Sequence, residues 1–93
     1  MSLRITDTAM TSTATEHTAR LVDAELGLWT VTWLGDRYQL GRNQAISAMT
    51  LAEAVAGGVS PSSPEWPHVV GWANELGLAA QWAADRITRG GAR

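Results

Sequence analysis

The side chains able to do chemistry here are two histidines, a scatter of serines and threonines, nine acids and seven basic residues, all of them arginine. Nucleophilic catalysis without cysteine or lysine needs a serine or threonine beside a base. The serines fall in the N-terminal segment, in a Pro/Ser stretch around 60–63, and at Ser47 on a helical pattern. None sits in a Gly-x-Ser-x-Gly elbow. His17 and His68 are far apart, and no carboxylate lies at a telling spacing from either. Zinc sites draw three or four ligands, usually with a paired local spacing that these histidines lack. The expectation is therefore no catalytic residue, no metal, no cofactor and no enzyme.

Two other constellations carry binding chemistry. Arg37, Arg42 and Asn43 cluster with Gly41 and Gln44 at the entry to a helix, where free backbone amides and two guanidiniums suit a phosphate or carboxylate. No glycine-rich phosphate loop accompanies them. Arg20 joins Arg37 and Arg42 as the candidates for a nucleic-acid-associated regulator. Nine acids against seven arginines, a net charge of −2, lack the basic excess such proteins normally show. Nucleic acid is thus not the expected partner.

Five tryptophans are the most unusual feature of the composition. Trp29 and Trp33 alternate on one face of a strand and read as core, with a Trp-lined ligand pocket as the alternative. Trp66 and Trp72 border the main apolar stripe of the second helical region. Trp82 and Leu78, one turn apart, fall on the opposite face and point to a second buried contact.

These residues are positioned by a simple succession of elements. Residues 1–15, rich in Thr, Ser and Ala, read as a flexible tail, although Leu3 and Ile5 suit a short edge strand. Residues 16–22 look extended, and Gly27 suits the left-handed position of a hairpin turn. Residues 28–34 form the clearest strand, with Trp29, Val31 and Trp33 inward and Thr30 and Thr32 outward. Gly35-Asp36 would turn the chain into a returning strand at 37–40.

A helix follows over 42–56, capped by Gly41 with Gln44 bonding back, and stopped at Gly57-Gly58. It is apolar round more than half its circumference, leaving Ser47, Thr50, Glu53 and Ala54 as an outward strip. Its small row, Ala45, Ala48, Ala52 and Ala56, invites the close approach of another backbone. Ser63 can cap a second helix that opens with Pro64. The stripe Trp66, Val69, Val70, Ala73, Leu76, Ala80, Ala84, Ile87 favours one long helix, with a break at Gly77 as the alternative.

The stretch Trp29-Thr30-Val31-Thr32-Trp33-Leu34, followed by Arg42-Asn43-Gln44-Ala45-Ile46-Ser47-Ala48-Met49-Thr50-Leu51-Ala52-Glu53, resembles a group of small actinobacterial proteins over roughly residues 16–56. The resemblance implies a bacterial, cytoplasmic setting and carries over no functional residue.

The fold expected is α+β: a tail at 1–15, then one domain at 16–93 with a three-stranded antiparallel meander and two helices packed on one sheet face. So small a domain, without cysteine, is commonly stabilised by oligomerisation. The function expected is a non-catalytic homodimeric interaction or accessory module that binds another protein, with Leu78, Trp82, Ala45, Ala48 and Ala52 at the interface. No apolar run approaches the roughly 18 residues that span a bilayer, so neither a membrane nor a secretory route is expected.

Overall fold

Hydrogen bonding by Thr6 makes the first hairpin. In the computed structural model, which describes residues 3–90, its Oγ1 accepts the Ala9 amide and its backbone N–H donates to the Ala9 carbonyl. A threonine that bonds the backbone locally in this way closes a turn without glycine. It joins β1 (Arg4–Ile5) to β2 (Ala9–Thr11), and β2 pairs antiparallel with β3 (Ala19–Asp23). The segment read as a tail thus supplies two strands, and Met10 is wholly buried in the core. A tail holding Met10 would leave a large side chain in water, which explains why this Thr-rich stretch folds.

Gly27, at φ +65°, turns β3 into β4 (Leu28–Val31), completing an antiparallel sheet in the order β1-β2-β3-β4. Met10, Ala19 and Val31 lie in line across the inner face, while Ala9, Arg20 and Thr30 lie in line across the outer one. The expected alternation holds: Trp29, Val31 and Trp33 are buried, and Thr32 is exposed. Leu34 departs from it. The Leu34 and Gly35 amides both donate to the Val31 carbonyl, so the strand ends at Val31 and the turn folds Leu34 inward. The returning strand expected at 37–40 shrinks to one bridge, in which Trp29 and Leu40 exchange backbone bonds of 2.7 and 2.8 Å.

Helix α1 (Arg42–Ala56) begins and ends where its residues dictate. The Gly41 amide donates to Gln44 Oε1 at 3.0 Å, and the Gly57 amide closes on the Glu53 carbonyl. Its outward strip proves to be covered. Ser47 and Glu53 are buried, the first donating to Glu75 Oε1 at 2.9 Å and the second accepting from Ser12 Oγ at 2.6 Å.

The second helical region is two helices, α2 (Trp66–Glu75) and α3 (Ala80–Gly90). They are parted at Gly77, whose φ of +73° no helix tolerates. The Ser63 hydroxyl is engaged with the Ser60 amide in the preceding loop, so α2 starts at Trp66 with Pro67 in its opening turn. The helix pair leans on α1 rather than on the strands. The architecture is α+β, with four strands and three helices in which α1 lies between the sheet and the α2–α3 pair. Only α1 rests on the sheet, correcting the expectation of two helices packed there.

Candidate functional site

The all-round apolarity of α1 is used within the chain. Ala45, Ala48 and Ala52 are wholly buried, so none of them offers surface to another molecule. Leu78 is half-buried against the core, drawn in by the break at Gly77. Of the five interface candidates, Trp82 alone stays open, with 40% of its surface exposed.

Trp82 is held rather than loose. The Tyr38 ring, itself 41% exposed, lies with its centroid 6.4 Å away at 53°. One helical turn further on, the Arg86 guanidinium carbon is 5.4 Å from the indole centroid, within cation–π range. Asp85 and Arg89 are joined by an exposed i,i+4 ion pair at 3.4 Å. Such a pair adds little stability in water, but it fixes charge on the outer face of α3.

Beside this cluster runs a cleft of about 510 Å³ between α3, the end of α1 and the start of α2. Val55, Val59, Pro61, Trp66 and Trp82 are its apolar lining, and Gln81 and Asp85 supply polar groups at its edge. The Trp-lined cleft therefore involves Trp66 and Trp82. Trp29 and Trp33 are core, and Trp33 Nε1–H donates to the Ala48 carbonyl at 3.2 Å.

The arginines do not assemble into one surface. Arg20 lies on the outer sheet face, in line with Ala9 and Thr30, whereas Arg42 opens α1 on the inner side. Arg37, Arg42 and Asn43 are all exposed around the entry to α1, and the Gly41 amide there is already taken by Gln44.

The histidines have separate structural settings. His17 is buried, with Nε2 at 2.9 Å from the Ile87 carbonyl and Nδ1 at 2.8 Å from Thr32 Oγ1. A carbonyl only accepts, so Nε2 carries a proton. Thr32 Oγ1 also accepts the Thr18 amide at 3.1 Å. His68 is exposed and stacks on Trp72 at 6.1 Å. Among the described residues, no three His, Cys, Asp or Glu side chains stand close enough to hold a metal ion, and no helix is long and apolar enough to cross a membrane.

Two hydroxyl–carboxylate contacts, Ser12 with Glu53 and Ser47 with Glu75, are reminiscent of a nucleophile and its base. Neither pair lines the Trp82 cleft, nor the clefts beside His17 and on the outer sheet face. No family model matches the chain, and neither a curated protein nor a solved structure is similar to it.

Sequence reasoning singled out Trp82 from its misplaced helical phase. It missed Tyr38, which reaches Trp82 across 44 residues of chain. Arg86 was legible in principle, because residues four apart on a helix are neighbours.

Proposed function

We propose that this chain is a non-catalytic interaction module that works as a homodimer and serves another protein in an accessory role. The observation that supports the reading is Trp82: a tryptophan left 40% exposed, yet pinned by Tyr38 and Arg86 at the lip of an apolar cleft. Exposed tryptophan in a fixed orientation is the kind of side chain that dominates binding energy, because a rigid aromatic loses little entropy on contact. Of the groups that could serve catalysis, both nitrogens of the buried His17 and the Ser12 hydroxyl are committed to hydrogen bonds.

The test is sedimentation equilibrium from micromolar to millimolar chain. Wild type is expected to gain mass with concentration, and Trp82→Glu is expected to remain monomeric with an unchanged circular dichroism spectrum. A wild type that stays monomeric throughout would overturn the homodimer.

A further inference from the structure

We infer that the cleft beside Trp82 is a binding site for a small organic cation, an ammonium group carried on an aromatic or aliphatic body. The site goes beyond the homodimer proposed above and does not depend on it.

At about 510 Å³ the cleft falls within the roughly 300–1,000 Å³ of small-molecule sites. Val55, Val59, Pro61, Trp66 and Trp82 offer a hydrocarbon body an apolar wall. Mostly apolar walls with a few polar groups to fix orientation are the usual make-up of such sites.

Charge selects the ligand. Asp85 is the one ionisable side chain among the lining residues. Val55, Gly58 and Val59 stand at the C-terminal end of α1, the negative pole of a 15-residue helix, and no basic residue in its last turn offsets that pole. Indole faces attract cations through the ring quadrupole. Trp82 already does so within the chain, where the Arg86 guanidinium carbon is 5.4 Å from its centroid. Arg86 itself stands about 100° round α3 from Asp85 and does not line the cleft. Carboxylate, helix pole and two indoles thus share one preference, for positive charge. An anion would meet Asp85 in the same space.

Arg89 is the cation that answers Asp85 in the free chain, 3.4 Å away. With the two side chains 79% and 62% exposed, that pair is worth little in water. An ammonium partly desolvated against the indoles takes its place at the carboxylate. Arg89 therefore competes with the ligand, a relation that a merely apolar cleft lacks.

The test compares phenethylammonium, phenethyl alcohol and phenylacetate, probes of similar body and different charge. Binding is followed by the Trp66 and Trp82 indole N–H resonances in dilute chain, which keeps it apart from pairing. Phenethylammonium should bind at least about threefold more tightly than the alcohol, and phenylacetate more weakly than either. Asp85→Asn should cancel the preference for the cation while leaving the alcohol within about twofold of its wild-type affinity. Arg89→Gln frees Asp85 and should strengthen the cation about twofold. Both positions are exposed, and the circular dichroism spectrum of each variant checks that the fold is kept. Equal affinity for the three probes, no shift at either indole, or a cation preference that survives Asp85→Asn would overturn the site. None of these results bears on the homodimer, which the sedimentation of wild type decides separately.

Discussion

At the scale of single residues, His17 ties the two sides of the molecule together. It precedes β3, yet its ring reaches the end of α3, where a carbonyl can take a partner from outside the helix. The Nε2–H to Ile87 bond supplies one, and the Nδ1 contact with Thr32 fixes the ring from the strand side. His17→Ala removes both bonds and opens a hole, so it should cost about 2–4 kcal/mol in urea denaturation. Thr32→Val removes one bond and the acceptor of the Thr18 amide, and should cost less, about 1–2 kcal/mol. Equal losses, or none, would show that the ring only fills space. The role of His17 was not legible in sequence, because its partner lies 70 residues away. The inward set of Trp29, Val31 and Trp33 was legible, since a period of two is a local property of the strand.

At the scale of elements, legibility followed how far each element depends on its own residues. The bounds of α1 could be read because a Gly41–Gln44 cap and a Gly57-Gly58 stop are local signals. The outward strip of α1 was misread because Ser47 and Glu53 are polar by type but covered by Glu75 and Ser12 from distant segments. The break at Gly77 was an open alternative, as a continuous apolar phase across Leu76 and Ala80 competes with the freedom of glycine. The first hairpin went unread because Thr6 closes it through its side chain, a signal indistinguishable from an ordinary Thr-rich tail. That reversal changes what truncation should do. Removing residues 3–12 deletes β1, β2 and the Ser12 partner of Glu53, and should abolish the cooperative thermal transition. Met10→Ala alone should cost about 2–5 kcal/mol by leaving a cavity against α1 and the sheet. A truncated chain that melts near the wild-type temperature would place Met10 outside the folding unit.

For the whole molecule, the decisive arrangement is α1 between two layers that scarcely touch each other. The radius of gyration, 12.2 Å, matches the roughly 12 Å of a compact domain of this length, so the three layers form one unit. The apolarity of α1, which suggested burial against a second copy, is accounted for inside the chain. The remaining case for pairing rests on the exposed face of α3 around Trp82, with Tyr38 beside it. Because α1 carries contacts to both layers, sheet and helix pair should unfold together. Far-ultraviolet circular dichroism reports mainly the helices, and fluorescence draws on Trp29 and Trp33 beside the sheet as well as Trp66, Trp72 and Trp82 in the helix pair. The two signals should give coincident urea midpoints, as two-state unfolding requires. Ala48→Leu forces extra volume into α1 where no surface is accessible and where the Ala48 carbonyl receives Trp33 Nε1–H. It should lower stability by about 1–3 kcal/mol while the two midpoints move together. If the helical signal persists after the Trp29 and Trp33 environment is lost, measured with the other three tryptophans replaced by phenylalanine, then α1 and the helix pair fold without the sheet, and the central helix does not couple the layers.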